Sequence, residues 1–262
     1  MFTVVWDKIY SFFFKLIDNP KQLVIKTVLF ITTIVVWAFL TNVTCALILI
    51  VLILCHEYGH IWAMKHCGFE VKGVYFIIIG CAAVGGNDKK GGFGDRRDEA
   101  FIAIMGPLWG VVSTLIPTAI YLISGNVIWG AIALFNIVLN VFNLLPFASL
   151  DGGRIIRAIA FSINNWLGMA VLVLGLGALC WLVVTVNQPL WWALGIFMVF
   201  LSINELRYEY LSRHETGRIR MRAGKMIGYF SAYLGLIAFY IFVFIMLISN
   251  EAVVLAMESL VQ

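Results

Sequence analysis

Residues 47–64 have the sequence LILIVLILCHEYGHIWAM, in which an apolar run continues on both sides of a short polar motif. A helix needs about 20 mostly apolar residues to cross a bilayer. The longer segment of residues 44–66 meets that requirement. The sequence therefore predicts a membrane-spanning helix that carries His56, Glu57 and His60 inside it.

The HEYGH motif has the spacing of a metal site. Its two histidines stand four residues apart, so both imidazoles lie on one face of a helix and could bind one metal ion. The glutamate between them could take a proton from metal-bound water. A charged carboxylate at the bilayer centre costs on the order of 2.5–3.5 kcal/mol on insertion scales, which favours a functional site. The alternative is a histidine pair satisfied by hydrogen bonds in a helix bundle.

Two histidines leave the metal in need of a third protein ligand. His66 completes the histidine spacing of the HExxHxxGxxH zinc proteases, but Ala63 occupies the position of the glycine. On a continuous helix His66 would lie about 9 Å further along the axis than His60, which disfavours it. A glutamate on a following helix is also disfavoured, because the acidic residues up to Glu99 fall in a loop or at a helix start.

A better candidate is Asp151, which lies in the sequence NLLPFASLDGG of residues 143–153. We expect Asp151 to end a long apolar helix that Pro146 interrupts one turn earlier, because proline bends a helix. The two glycines that follow would allow a turn after the carboxylate. The alternative is a solvated aspartate at a helix end, beside Arg154.

HEYGH on one apolar segment and NLLPFASLDGG on a later one, with IMGPLWG between them, resemble the site-2 protease family of intramembrane zinc metalloproteases. The resemblance implies a six-helix type of membrane fold and one zinc ion per chain. The implied zinc ligands are His56, His60 and Asp151. Glu57 would be the catalytic acid and base, and Asn143 would help to hold the substrate carbonyl or the oxyanion.

The resemblance covers residues 44–157, which we expect to be the catalytic core of a single membrane domain, residues 1–262. Residues 1–22 are expected to form an interfacial amphipathic segment. Residues 166–250 would add two or three transmembrane helices. A PDZ insertion and a C-terminal nucleotide-sensing domain, found in larger members of the family, have no counterpart here, which leaves regulation and substrate choice open.

The composition also indicates a membrane protein, because 62% of the 262 residues are hydrophobic and only 12% are charged. A soluble domain would be about a quarter charged. We expect an all-α polytopic membrane protein with about six to seven transmembrane helices. The candidate spans are residues 23–41, 44–66, 99–123, 127–148, 168–186, 189–206 and 228–248.

The segment between the second and third spans is different. Residues 71–79 (VKGVYFIII) are rich in β-branched and aromatic residues and are bounded by glycines, which is typical of a strand. We expect a small membrane-associated strand or hairpin here.

All 18 lysines and arginines fall on one side of the membrane when the spans are counted from a cytoplasmic N-terminus. This predicts an N-terminus and an active site toward the cytoplasm. A bacterial inner membrane is the preferred location, because we expect a compact chain without the lumenal insertions of eukaryotic members. His56 is about ten residues from the cytoplasmic end of its helix, so the metal would lie roughly 15 Å deep. Asp151, at the cytoplasmic end of the fourth span, could meet it there.

Other classes of protein fit less well. A membrane di-iron hydroxylase needs more histidines than the four in this chain, and five cysteines without a CxxC pair predict no disulfide framework. A transporter would need ionisable residues along a path through several helices, whereas Glu57 is the one acid expected at mid-span. A catalytically silent zinc-binding scaffold or regulator of the same fold is the alternative, but it would have no need of Glu57.

The expected partners are the lipid bilayer and a transmembrane protein substrate, with no nucleic acid. By the family resemblance, the substrate would be an anti-sigma factor, a pro-sigma factor or a membrane-tethered transcription factor.

Overall fold

A computed structural model of the chain describes residues 22–69, 71–77, 80–85, 95–186, 189–212 and 219–261. The predicted interfacial segment of residues 1–22 lies outside these ranges, apart from its last residue.

Helices account for most of the described residues. In chain order the elements are α1 (Gln22–Leu40), α2 (Val43–His66), β1 (Val71–Ile77), β2 (Gly80–Gly85), α3 (Arg96–Ser124), α4 (Val127–Asn143), α5 (Asp151–Ile163), α6 (Asn165–Thr185), α7 (Pro189–Ser212), α8 (Ala223–Ile248) and α9 (Glu251–Val261).

Four of the described helices, α2, α3, α6 and α8, are long and apolar enough to cross a bilayer. Lys26–Leu40, within α1, and Val127–Asn143 (α4) are apolar but shorter. The chain is therefore an integral membrane protein. The larger count of about six to seven spans stays a prediction for α1, α4 and α7.

The segment between α2 and α3 contains the two strands. β1 and β2 pair antiparallel, with Ile77 opposite Gly80 and Val71 opposite Gly85, and the register is irregular between Val71 and Gly73. The association of this strand pair with the membrane stays a prediction.

The end of α4 differs from the sequence-based expectation. The sequence predicts one long apolar helix, with a span over about residues 127–148 and Asp151 at its cytoplasmic end. In the structure α4 ends at Asn143, and Asp151 is the first residue of α5. The physical reason is Pro146, which lacks the N–H for a helical bond and disfavours a helical conformation at the preceding Leu145. The proline thus ends the helix instead of bending it.

The two glycines after Asp151 are inside the first turn of α5, so the predicted turn after the carboxylate is wrong. A Cβ atom at Gly152 would lie 2.0 Å from the carbonyl oxygen of Leu144, and one at Gly153 would lie 1.9 Å from that of Phe147. Their missing side chains therefore let α5 pack directly on the backbone of the preceding turn, which fixes the position of Asp151.

The largest core cluster lies between α3, α4, α5 and α8, and its fully buried members include Ala103, Ile155, Tyr240 and Leu247. Two tyrosines of α8 add hydrogen bonds to this packing. The hydroxyl of Tyr240 donates to the carbonyl of Pro107 at 2.7 Å, and that of Tyr233 donates to the carbonyl of Leu144 at 2.8 Å. Helix α8 therefore holds both α3 and the turn that precedes Asp151.

A cluster of charged residues, all buried except the partly exposed Glu205, joins α3, α5 and α7; its members are Arg96, Glu99, Arg157, Glu205 and Glu209. Two guanidinium nitrogens of Arg96 donate to the two carboxylate oxygens of Glu209, at 2.8 and 2.7 Å. Arg157, in α5, pairs with Glu99 and Glu205. The cluster ties α5, the helix that begins with Asp151, to α3 and to α7.

We predict that Arg96→Gln lowers the thermal stability of the protein in detergent. The substitution leaves Glu209 buried without its two-point partner, and breaking a buried ion pair costs about 3–5 kcal/mol. The matched control is Arg97→Gln, because the neighbouring Arg97 pairs with Asp98 at 3.0 Å but its side chain is 58% exposed. Pairs exposed in this way contribute about 0–1 kcal/mol. Equal unfolding midpoints for the two variants would contradict a stabilising role for the cluster.

Candidate metal centre

Helices α2 and α5 bring three candidate ligand atoms together. The Nε2 atom of His56 lies 3.0 Å from Oδ2 of Asp151, and Nε2 of His60 lies 3.2 Å from the same oxygen. The two Nε2 atoms are 3.1 Å apart. All three side chains are buried. The residues that the sequence predicts as metal ligands therefore meet at one point.

The other ring nitrogen of each histidine faces an oxygen. Nδ1 of His56 lies 2.9 Å from the side-chain oxygen of Asn140, and Nδ1 of His60 lies 2.8 Å from the carbonyl oxygen of Ile102. Both oxygens are acceptors, so each Nδ1 carries a hydrogen, and in the neutral imidazole each Nε2 then presents a lone pair. Metal-binding histidines are held in the same way, by donating their second N–H to an oxygen.

The three converging atoms fit a bound cation. With both imidazoles neutral, two lone-pair nitrogens and one carboxylate oxygen face one another at 3.0–3.2 Å. Their mutual repulsion in a buried place is relieved when a positive ion binds among them. Two histidines and one carboxylate are a ligand set of catalytic zinc sites, which leave a further position open for water or substrate.

Two glycines make room for this cluster between α2 and α3. A Cβ atom at Gly106 would lie 2.3 Å from Nε2 of His60 and 2.8 Å from Nε2 of His56. A Cβ atom at Gly59 would lie 2.2 Å from the carbonyl oxygen of Met105. The helices can therefore approach closely at the level of the histidines, and the space beside the ligand atoms stays open.

Glu57 lies beside the cluster. Its side chain is buried, and a carboxylate oxygen, together with a ring nitrogen from each of His56 and His60, forms a group whose atoms lie within 4.8 Å of one another. Asp151 lies 3.0 and 3.2 Å from the two Nε2 atoms, which makes it the candidate for the third ligand. Glu57 is then close enough to exchange a proton with a molecule bound at the centre.

Two other candidates from the sequence have partners away from the ligand atoms. The amide nitrogen of Asn143 donates to the carbonyl of Leu139 at 3.0 Å, along its own helix. Its proposed contact with substrate stays a prediction. His66 is exposed and stacks on Trp62, with ring centroids 5.3 Å apart, in agreement with its rejection as a ligand.

Asn136 and Asn140 were missed by the sequence analysis. Both are completely buried, and the side chain of Asn140 is the partner of His56. The available signal was the presence of amides in a predicted span, since polar residues inside a membrane are expensive and usually have a role.

The chain is similar to known proteins over the segment that contains these motifs. The sequence model of the family described as Peptidase family M50 matches residues 44–127 and 123–175. A zinc metalloprotease of Methanocaldococcus jannaschii is 30% identical over 158 residues, which are 56% of this chain and 44% of that protein. A Mycobacterium tuberculosis protein named Rip3 is 34% identical over 121 residues, which are 43% of this chain and 30% of that protein. The chain thus spans less than half the length of either relative.

Among solved structures, a site-2 protease from Methanocaldococcus jannaschii aligns with a TM-score of 0.46 and 22% identity. The alignment covers 74% of this chain and 90% of that structure.

We predict that Gly106→Ala weakens zinc binding by on the order of tenfold or more, because the new methyl group would displace the imidazole of His60. Zinc affinity is measured by competition with a chelator, on protein purified in detergent. The matched control is Gly177→Ala in α6, where a Cβ atom would meet no described atom within 4 Å. Wild-type affinity in Gly106→Ala would show that the space beside the histidines is not needed for the metal.

Proposed function

The chain belongs to peptidase family M50, and on that premise we propose that it is an intramembrane zinc metalloprotease. It would hydrolyse a peptide bond within or near a transmembrane segment of a membrane-tethered protein. The observation that carries the proposal is the buried convergence of His56, His60 and Asp151, with Glu57 beside them, next to helices long enough to cross a bilayer.

His56, His60 and Asp151 would hold one zinc ion, which when bound supplies Lewis acidity to the reacting carbonyl and water. The ring orientations needed for this are already present, since the two Nδ1 atoms are held by Asn140 and by the carbonyl of Ile102. The binding residues are therefore preorganised before the metal arrives.

Glu57 would act as the general base and then as the general acid. Its carboxylate takes a proton from the attacking water and returns it to the leaving amine. Asn143 would donate its amide hydrogens to the substrate carbonyl or to the oxyanion. To do so it exchanges its bond to Leu139, which costs little because that carbonyl also belongs to the α4 hydrogen-bond ladder.

The proposed catalytic core is residues 44–157 of one membrane domain, with the C-terminal helices packed around it. The basic residues support a cytoplasmic N-terminus and active site, and the proposed location is a bacterial inner membrane. The proposed substrate is a membrane-tethered regulator, such as an anti-sigma factor, a pro-sigma factor or a transcription factor. Cleavage would release such a protein from the membrane, as in regulated intramembrane proteolysis.

The proposal predicts different defects for two carboxylates. Glu57→Gln keeps the zinc but loses cleavage, because the amide cannot take a proton from water. Asp151→Ala loses the zinc, because one ligand oxygen is gone. Zinc per chain is quantified in detergent, and cleavage is followed with a panel of single-span helical substrates. The matched control is Glu258→Gln, which removes an exposed carboxylate on α9 and should leave both properties unchanged.

If the wild-type protein binds no zinc, or if Glu57→Gln cuts as fast as the wild type, the protease proposal is wrong. A catalytically silent zinc-binding scaffold would instead show zinc in the wild type and in Glu57→Gln, with cleavage in neither.

A transmembrane substrate must unwind before cleavage, because a helix hides its carbonyls in hydrogen bonds. We propose that an outer edge of the β1–β2 pair receives the unwound segment as an added strand. Val74→Pro removes an N–H where Val74 pairs with Ala83, so it should slow cleavage several-fold without releasing zinc. The control Val74→Thr keeps the N–H. Cleavage by Val74→Pro at the rate of this control would contradict the role of the strand.

A further inference from the structure

We propose that Asn140 is a positioning residue for the metal centre, and that Asn136 and the backbone of α3 fix its orientation. The inference rests on the proposed function, because it assigns to Asn140 the task of presenting His56 to the zinc ion. It concerns a chain of hydrogen bonds that leads from one backbone carbonyl to a candidate ligand.

The last bond of the chain joins Asn140 to His56. The side-chain oxygen of Asn140 lies 2.9 Å from Nδ1 of His56, and the asparagine is completely buried. An oxygen at this place requires a hydrogen on Nδ1 and leaves Nε2 free to bind a metal. An amide nitrogen at the same place would instead favour the opposite tautomer, with the hydrogen on Nε2.

The orientation of the Asn140 amide is therefore decisive, and Asn136 determines it. The amide nitrogen of Asn140 donates to the backbone carbonyl of Asn136 at 2.8 Å and to its side-chain oxygen at 3.0 Å. Both groups are acceptors, so the nitrogen of Asn140 must face Asn136. Its oxygen must then face His56.

The orientation of Asn136 is fixed in turn by α3. Its amide nitrogen lies 3.0 Å from the carbonyl oxygen of Gly110 and 2.8 Å from each of the hydroxyl oxygens of Ser113 and Thr114. Those two hydroxyls donate their own hydrogens to the Gly110 carbonyl, at 3.1 and 2.8 Å. They can therefore only accept from Asn136. A backbone carbonyl never donates, so the direction of every bond in the chain follows from Gly110.

The missing side chain of Gly110 also leaves space for the side chain of Asn140. A Cβ atom there would lie 2.1 Å from the side-chain oxygen of Asn140 and 2.5 Å from the hydroxyl oxygen of Tyr240. Helix α3 therefore supplies both the acceptor that begins the chain and the space in which Asn140 reaches His56.

A simpler role for these amides is to hold α3 and α4 together in the membrane. That role accounts for the bonds between Asn136 and α3, but it does not explain why an acceptor oxygen of Asn140 lies beside Nδ1 of His56. Measuring metal binding distinguishes the two roles, because weaker packing between α3 and α4 lowers stability without changing the tautomer of a histidine.

The test measures the affinity for zinc, by chelator competition, and the visible absorption of the cobalt-substituted protein. Asn140→Leu removes the acceptor at similar volume and should weaken zinc binding by about 10–100-fold, as loss of such a partner does elsewhere. It should also shift the cobalt bands. Asn140→Asp keeps an acceptor beside Nδ1 but loses the N–H groups that bond to Asn136, so it should bind zinc more tightly than Asn140→Leu. The matched control is Thr118→Val, which removes a buried hydroxyl that donates to Thr114 on the same helix.

A second variant, Asn136→Leu, keeps the inference testable if Asn140→Leu does not fold. Without Asn136, the amide of Asn140 can turn either way. The zinc affinity of Asn136→Leu should therefore lie between that of Asn140→Leu, which is lower, and that of Thr118→Val, which is higher.

The inference is overturned if Asn140→Asp binds zinc as weakly as Asn140→Leu, or if the asparagine variants keep wild-type affinity and wild-type cobalt bands. The proposed function survives either of these results, provided that the wild-type protein binds zinc and cuts. A wild-type protein that binds neither metal would overturn both.

Discussion

The structure of the site depends on one electrostatic constraint, which is that three acceptor atoms are forced together inside an apolar protein. His56, His60 and Asp151 present two lone pairs and a carboxylate oxygen to one point. With both imidazoles neutral, this arrangement is unfavourable by itself in a low-dielectric interior and favourable around a cation. The surrounding structure keeps it from relaxing: the oxygens of Asn140 and Ile102 fix the rings, and glycines keep the helices close. The fold therefore presents the donor set of a metal site, which a bound cation would satisfy.

The spacing of residues along the sequence was sufficient to predict the part of the site that lies on α2. Two histidines four residues apart must share a helix face, so His56, Glu57 and His60 could be predicted without knowing the tertiary fold. The motif pointed to Asp151, but the position of Asp151 in the secondary structure was not predicted. The sequence predicts that it ends a long apolar helix, whereas α4 stops ahead of Pro146 and Asp151 begins α5. Hydropathy alone does not distinguish a bent helix from a helix that ends.

The rest of the site could not be predicted because it depends on contacts between residues far apart in the chain. Asn140 and His56 are separated by 84 positions, and only the packing of α4 against α2 makes them partners. The same is true of Arg96 and Glu209, which are 113 positions apart. In the sequence these charges looked like ordinary residues near helix ends. Amides and charges in a membrane protein can be flagged by their cost, but their partners follow only from the fold.

These long-range contacts also show that the centre is supported from beyond the part of the chain that matches the family. Asp151 is carried by α5, and α5 is held through Arg157 by Glu205 of α7. The turn before Asp151 is held by Tyr233 of α8. Both α7 and α8 lie after residue 175, where the family match ends. The two histidines sit on one continuous helix, so the spacing of their backbones is set by α2 alone. The third candidate ligand is different, because α5, which carries it, is held in part by the C-terminal helices.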